Sequence, residues 1–232
     1  MNEFPILWKD QDLLVIDKPS GLLSLPDGYD PSLPHVKSLL EPTYGQLWMV
    51  HRLDRETSGV MIVARNAGAH QKMNKQFQSR QVKKVYEAIV LGCPQWDRKI
   101  VQLPLRTNAG RRHITVVDRE NGKPSVTQLR VLERFTNYCF IEAKPITGRR
   151  HQIRAHLTFE GHPIAGDNLY GFHEIGSDDL FQGQVFAREP VFERTALHAR
   201  SIEFRHPGDG QVYLVEAPLA IDLQRALYQL RM

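Results

Sequence analysis

The sequence predicts an α+β fold around a largely antiparallel sheet. Many short apolar runs alternate with turn residues, which is typical of strands, and several follow one another closely, as in a meander. Only a few stretches carry apolar residues at helical spacing. The 232 residues, 41% hydrophobic and 24% charged, have the balance of a globular protein with a full core. We therefore expect a single domain spanning residues 1–232.

Strands are predicted where apolar and β-branched residues run without interruption. The first buried strand, residues 13–16, ends before Lys18-Pro19-Ser20-Gly21, a turn signal in which proline cannot continue a strand ladder. The second strand begins at Val60. Further strands are predicted at residues 83–91, 100–105, 114–118, 126–135, 139–145, 199–205 and 212–216.

Three helices are predicted, two between these strands and one after the last strand. Residues 66–81 place Met73 and Phe77 at helical spacing after Asn66, a candidate N-cap. A second helix covers residues 149–160 and is stopped by Gly161, and a third covers residues 218–230 with Pro218 in its first turn. Residues 172–195 form the only long predicted loop.

Several classes of protein are disfavoured by absent patterns. No stretch approaches the roughly 20 apolar residues of a membrane helix, and the N-terminus lacks a signal sequence, so a cytoplasmic protein is expected. Cys93 and Cys139 match neither a disulfide framework nor a zinc knuckle. Glycine-rich phosphate loops are missing, which argues against a nucleotide cofactor.

Basic residues are unevenly distributed along the chain. The net charge is +4 and the pI about 9.1. Three groups stand out: Lys72, Lys75, Arg80, Lys83 and Lys84; Arg106, Arg111 and Arg112; and Arg149, Arg150 and Arg154. A phosphate-rich partner and ordinary solvated surfaces both remain compatible with this pattern.

Residues 51–60 are the most informative segment, because Asp54 lies between two arginines, Arg52 and Arg55. Nearby arginines favour the charged form of a carboxylate, as a nucleophile or base requires. Thr57 can tie the loop by local hydrogen bonds, and Gly59 permits unusual backbone angles. A salt-bridged surface turn explains the same pattern, so both interpretations remain open.

Residues 147–157 form a second informative segment, a glycine turn that opens a helix. Arg150 and Arg154 lie four apart and are predicted to share a helical face, which Leu157 borders. An arginine beside an apolar side chain suits a pocket for a planar base and a buried carboxylate. A basic amphipathic helix on the sheet is the alternative.

Two hydrolase classes are disfavoured by spacing. His151 and His156 lie five apart instead of the four of a zinc helix, with Gln152 in place of its glutamate. We therefore interpret these histidines as structural. The serines lack the glycine elbow of a serine hydrolase.

Four segments, residues 18–21, 51–59, 84–88 and 147–154, occur in the order and approximate spacing of the RluA family of RNA pseudouridine synthases. The chain resembles this family over nearly its whole length, including the later pieces around Gly161, Asp167, Tyr170 and His198. The resemblance implies the pseudouridine synthase fold, a mixed, mainly antiparallel sheet with a central RNA-binding cleft flanked by helices and loops. It also implies a short member without a separate S4 RNA-binding domain.

The resemblance also implies a reaction and its residues. Uridine in a folded RNA is isomerised to pseudouridine without a metal, nucleotide or redox cofactor. By position, Asp54 matches the catalytic aspartate, Tyr86 the tyrosine that stacks on the base, and Arg154 the arginine paired with the aspartate. Asp54 can add to C1′ or to C6 of the uracil, or assist its departure.

Substrate binding is expected at Arg52, Thr57, Lys84, Arg150 and the apolar wall Leu157. Arg52 is expected to insert where the uridine leaves its stack or to hold its phosphate, and the basic groups are expected to contact phosphates. The protein is expected to be a monomer, and its expected partner is a stem-loop of ribosomal RNA, tRNA or both, with residues 172–195 tuning the choice. A non-catalytic RNA-binding protein on the same fold is the alternative.

Overall fold

The computed structural model describes residues 4–171 and 192–232, and the chain divides into two compact units. Unit 1 comprises Met1–Tyr86 and His198–Ala220, and unit 2 comprises Glu87–Leu197 and Ile221–Met232. Along the chain, the described elements are β1 (Ile6–Lys9), β2 (Leu13–Lys18), α1 (Val36–Tyr44), β3 (Trp48–Met49), β4 (Ser58–Ala64), α2 (Ala67–Gln78), β5 (Lys83–Leu91), β6 (Arg98–Gln102), β7 (Leu105–Ala109), β8 (Ile114–Val117), β9 (Val126–Arg134), β10 (Tyr138–Pro145), α3 (Gln152–Phe159), β11 (Leu197–Arg205), β12 (Val212–Glu216) and α4 (Ile221–Leu230).

The sheet of unit 1 is built around β4, whose seven residues are all buried. Strands follow the order β1-β2-β4-β11, with β3 also paired to β4 and β12 to β11. Strand β2 is antiparallel to β4 and places Lys18 opposite Gly59, whereas β11 is parallel to β4 and places Ala199 beside Gly59. The predicted mixed sheet is therefore confirmed. Strands β2 and β11 both pair with β4 at Gly59, just after the loop of residues 51–57 enters β4.

Unit 2 contains a second run of strands, in which residues 87–91 of β5 lie beside β10 and the order continues to β9 and β6. The β9–β10 and β6–β9 pairs are antiparallel. Strands β7 and β8 form a separate two-stranded sheet. Helix α3 is buried from Gln152 to Leu157, so it forms part of the unit's interior.

Most predicted elements are confirmed, and the differences have local causes. Asn66 caps α2 by accepting a hydrogen bond from the backbone N–H of Ala69 at 2.8 Å. The predicted strand over residues 100–105 is two strands, β6 and β7, because Pro104 between them has no N–H for a ladder. Helix α1 was not predicted, since its N-cap is His35 and it contains Pro42.

Two predicted helices begin later than expected. The third helix, α4, begins at Ile221, so Pro218 lies before the helix and not in its first turn. Helix α3 begins at Gln152, three residues after the predicted start. Most of the predicted loop over residues 172–195 lies outside the described residues. None of the helices described in residues 4–171 and 192–232 is long and apolar enough to cross a membrane.

Candidate active site

The loop that carries Asp54 is held by a buried lysine. Lys18, at the end of β2, has no exposed surface. Its ammonium donates hydrogen bonds to the backbone carbonyls of Pro19 at 2.8 Å, Leu22 at 2.9 Å and Arg55 at 3.2 Å. A buried charge requires such partners, because hydrogen bonds must replace the lost hydration. Lys18 thus joins the turn after β2 to the residue that follows Asp54.

Two serines in the turn after β2 hold the same loop on both sides of Asp54. Ser24 Oγ donates to the carbonyl of Leu53 at 2.8 Å and accepts from its N–H at 3.1 Å. Ser20 Oγ donates to the carbonyl of Glu56 at 2.7 Å. The backbone on either side of Asp54 is therefore fixed by residues some thirty positions earlier in the chain.

The passage from the loop into β4 is equally constrained. The N–H of Thr57 donates to the carbonyl of Asp54 at 3.1 Å, and the side chain of Ser58 bonds the Nδ1 of His198 at 2.9 Å. Gly59 has a φ of +112°, and a Cβ there would lie 2.7 Å from the backbone nitrogen of Ala199. Only glycine fits, because β11 approaches β4 at van der Waals contact here.

Tyr86 lies within the electrostatic reach of Asp54. Its partly buried ring packs against the core of unit 1. Burial and, after it, the negative charge of Asp54 raise the pKa of Tyr86 far above its usual value. The phenol therefore keeps its proton and offers a hydrogen-bond donor together with a flat face.

His51 lies within electrostatic reach of Lys84 in unit 1. The Nε2 of His51 accepts from the N–H of Ile62 at 2.9 Å, and its ring stacks on Phe77 with centroids 4.8 Å apart. Removal from water and the positive charge of Lys84 lower the pKa of His51 to about 3. Burial also lowers the pKa of Lys84. His51 is thus a neutral structural group at physiological pH.

The two arginines beside Asp54 have different environments. Arg55 braces the loop, since its Nε donates to the carbonyl of Gly21 at 3.1 Å. Arg52 is exposed, and within the described part of the chain no carboxylate forms an ion pair with it. The alternative that Arg52 serves in a structural ion pair therefore finds no support among the described residues.

Arg154 and Leu157 lie in α3 of unit 2, and both are buried. The Nε and Nη2 of Arg154 donate to Asp167 at 2.7 and 2.8 Å. The pairing of Arg154 with Asp167 was not predicted from the sequence. Asp54 belongs to unit 1 and Arg154 to unit 2. The pairing of these two residues stays a prediction.

The shared helical face predicted for Arg150 and Arg154 is wrong. His151 precedes α3 in a left-handed conformation, with a φ of 52°, so Arg150 lies before the helix. The exposed Arg150 side chain donates from Nη1 to the Oδ1 of Asn108 at 2.7 Å. A non-helical residue at position 151 breaks the four-residue periodicity on which the prediction depended.

A scan against protein-family models matches residues 12–159, more than half of the chain, to the family described as RNA pseudouridylate synthase. The chain belongs to the RNA pseudouridylate synthase family. The synthase is therefore an isomerase that converts uridine in RNA to pseudouridine, as the motifs predicted.

Similar proteins agree with this membership. The synthase is 39% identical over 231 residues to a ribosomal large subunit pseudouridine synthase C of Escherichia coli, covering 97% of this chain and 70% of the relative. A protein of the same name from Vibrio parahaemolyticus is 37% identical over 231 residues, covering 99% and 70%.

Solved structures resemble the fold of this synthase. A human protein titled RNA pseudouridylate synthase domain containing 4 aligns with a TM-score of 0.76 and 28% identity, covering 97% of this chain and 92% of that chain. A second human protein, domain containing 1, gives a TM-score of 0.75 and 28% identity, covering 99% and 95%. The pseudouridine synthase fold predicted from the motifs is confirmed.

The synthase contains one group of residues with metal-ligand chemistry within its described ranges. Asp10, Asp12 and His206 place ligand atoms within 4.8 Å of one another. However, Asp10 Oδ1 accepts from the N–H of Asp12 at 2.7 Å, and Asp12 Oδ1 accepts from Asn66 at 2.8 Å. The Nε2 of His206 lies 2.8 Å from the other oxygen of Asp10. We therefore interpret these side chains as structural, because they join the turn between β1 and β2 to the residues that follow β4 and β11.

Sequence reasoning missed three supporting residues of the synthase: Lys18, His198 and Asp167. Each lies in a segment that resembles the family, but none has a local signal for its role, because its partner is distant in sequence. Conversely, Thr57 is only 2% exposed, and its predicted contact with substrate stays a prediction. His156 is structural as predicted, bonded through Nδ1 to Thr127 at 2.8 Å.

Proposed function

We propose that this synthase modifies a uridine in ribosomal large-subunit RNA, with Asp54 as the nucleophile, Tyr86 as the stacking partner and Arg154 as the charge partner. The names of its relatives, at 37% and 39% identity over nearly the whole chain, support the choice of RNA. The observation that carries the assignment of residues is a rigid loop that holds Asp54 within electrostatic reach of a protonated Tyr86.

The rigidity of the loop supports a chemical role for Asp54. A nucleophile must meet its target carbon in one orientation, and preorganisation avoids the entropy of ordering it during the reaction. Hydrogen bonds from Lys18, Ser20 and Ser24 provide that order through the backbone alone. The Asp54 carboxylate is then available to add to C1′ or C6 of the uridine, or to assist departure of the uracil.

Tyr86 is suited to bind the uracil. Its ring supplies a flat face for stacking, and its phenol stays protonated because burial and Asp54 raise its pKa. The hydroxyl is proposed to relay a proton to or from the uracil base during the reaction. Leu157 is proposed as the apolar wall of the same pocket, and Arg154 as the group that stabilises the charged form of Asp54.

Fewer cations are proposed as phosphate contacts than the sequence indicated. Three of the predicted cations are engaged: Lys72 with the carbonyl of Pro207, Lys83 with Glu203 and Arg106 with Asp118. Four others are exposed and form no ion pair within the described ranges: Lys75, Arg80, Arg111 and Arg112. We propose the latter set as the residues that hold the RNA backbone.

Two further cations are proposed to act on the target nucleotide. Extrusion of a base costs a few kcal/mol, and a side chain in the vacated space offsets part of it. The exposed Arg52, next to Asp54, is proposed for this place. Lys84 is partly buried and has no carboxylate partner among residues 4–171 and 192–232, so it is proposed to neutralise a phosphate. Arg150 and Thr57 remain proposed substrate contacts.

Further proposals concern the RNA element, the oligomeric state, the domain organisation and the cellular compartment. We propose a stem-loop as the recognised RNA, a monomeric synthase, a single catalytic domain and action in the cytoplasm. The role of residues 172–195 in RNA choice belongs to the same proposal, although residues 172–191 lie outside the described residues.

Release of tritium from RNA labelled at uridine C5 tests the proposed function. Isomerisation exchanges this hydrogen, and binding alone does not, so large-subunit ribosomal RNA should release tritium on incubation with the purified synthase. Labelled tRNA and small-subunit RNA serve as parallel substrates. Release from tRNA alone would contradict the proposed substrate, and mapping of pseudouridine in RNA from cells with and without the protein would name the position.

Substitutions at Tyr86 separate stacking from proton transfer. Tyr86→Ala should weaken RNA binding by about 1–3 kcal/mol, because a stacking face is lost. Tyr86→Phe should bind RNA like the wild type and slow tritium release by about 10²-fold, because only the hydroxyl is lost. Filter binding and single-turnover release measure the two effects, and an unchanged rate for Tyr86→Phe would exclude the relay.

A further inference from the structure

Arg154 forms a bidentate ion pair in the interior of unit 2. Its Nε lies 2.7 Å from Asp167 Oδ2 and its Nη2 2.8 Å from Oδ1, with side chains 9% and 0% exposed. A buried ion pair is weak evidence for stability, since the removal of two charges from water offsets much of their attraction. Its geometry, in contrast, is highly directional, because two parallel bonds fix the guanidinium plane.

Asp167 is itself immobilised. Besides the two bonds from Arg154, its Oδ1 accepts from the N–H groups of Leu169 and Tyr170, both at 3.0 Å. Its carbonyl accepts from the N–H of Gly171 at 2.7 Å. All four groups bonded to the carboxylate oxygens are N–H donors. The carboxylate cannot rotate without breaking its turn.

The same guanidinium lies over the ring of Tyr170. The Cζ of Arg154 lies 4.9 Å from the centre of the Tyr170 ring, within cation–π distance. The Tyr170 hydroxyl accepts from the N–H of Thr115 at 2.7 Å and lies 3.1 Å from His151 Nδ1. Both ends of this buried tyrosine are therefore anchored.

We propose that Asp167 and Tyr170 form a clamp that positions Arg154 for the chemical step. Asp167 binds the edge with Nε and Nη2, and the guanidinium carbon lies over the Tyr170 ring, so the direction of Nη1 is set by α3 and the clamp. This inference rests on the proposed function, in which the Arg154 guanidinium serves Asp54. Asp167 and Tyr170 act through Arg154 and are positioning residues.

Asp167→Asn tests the clamp with little change in shape. Asparagine retains an oxygen for the N–H groups of Leu169 and Tyr170 but faces Arg154 Nε with a donor. Single-turnover tritium release should fall about 10²-fold, as expected for a misplaced catalytic group, while the Kd for RNA stays within about 2-fold. In an Arg154→Lys background, Asp167→Asn should add less than about 2-fold, because the fork that it positions is already gone.

Thr127→Val is the matched control. Thr127 Oγ1 bonds His156 Nδ1 at 2.8 Å and accepts from Gln152 Nε2 at 2.9 Å, so it holds the same helix without contacting Arg154. This variant should lower Tm and leave the release rate of the folded protein within about 3-fold of wild type. If Asp167→Asn does not fold, Tyr170→Leu replaces it, with an expected loss of about 10-fold in rate through the missing ring.

Three results would overturn the clamp. One is an Asp167→Asn or Tyr170→Leu protein that loses Tm and keeps its rate, as the control does. Another is a double variant in which the losses of Asp167→Asn and Arg154→Lys multiply. A wild-type protein that releases no tritium from any RNA contradicts the proposed function itself, and with it the premise of the clamp.

Discussion

Replacement of Asp54 by asparagine is expected to abolish turnover while the fold and RNA affinity remain. The amide has the shape of the carboxylate but cannot act as a nucleophile, and loss of a nucleophile lowers kcat by at least about 10³-fold. The loop should keep its structure, because its hydrogen bonds to Lys18, Ser20 and Ser24 come from the backbone. Single-turnover tritium release, thermal unfolding and filter binding measure the three quantities.

Asp30→Asn is the control for the charge change itself. Asp30 is an exposed carboxylate of unit 1 that accepts from the N–H of Ser32 at 3.0 Å. This variant should release tritium at the wild-type rate. An Asp54→Asn protein that retains more than about a tenth of wild-type activity would exclude Asp54 as the nucleophile.

Gly59→Ala is expected to have the largest effect on stability. A Cβ at this position would lie 2.7 and 2.8 Å from the backbone nitrogen and carbon of Ala199 and closer still to its oxygen, and the φ of +112° is unfavourable for alanine. Neither backbone can move without breaking the parallel pairing of β4 with β11. The free energy of unfolding should fall by more than about 3 kcal/mol.

Gly28→Ala provides the matched comparison in the same unit. A Cβ there meets no atom within 4 Å. Its free energy of unfolding should stay within about 0.5 kcal/mol of wild type. Urea unfolding followed by circular dichroism compares the variants. Similar midpoints for the two would show that β11 can retreat from β4, and would contradict the close approach as the reason for glycine.

Local features were predictable because they depend on near neighbours. Asn66 caps α2 as expected, since an N-cap bonds a backbone N–H three residues away. Strand β5 begins and ends as predicted. The prediction failed where a local pattern was interrupted without a sequence signal, as at His151, whose left-handed backbone removes Arg150 from the helix.

The support of the candidate site was not predictable in the same way. The sequence suggested that Thr57 and the arginines beside Asp54 stabilise its loop. In the structure, Lys18, Ser20 and Ser24 hold the backbone from 37, 36 and 29 positions away, a separation that the pairing of β2 with β4 closes. Periodicity and spacing carry no information about such partners.

The sequence by itself determined the family and the set of reactive groups, because ordered motifs around Asp54, Tyr86 and Arg154 specify chemistry through residue type. Tertiary structure alone decided what holds each group. Lys18 holds the loop of Asp54, burial keeps the proton on Tyr86, and Asp167 holds Arg154. The physical reason is that hydrogen bonds and desolvation depend on distance in space, which chain packing sets.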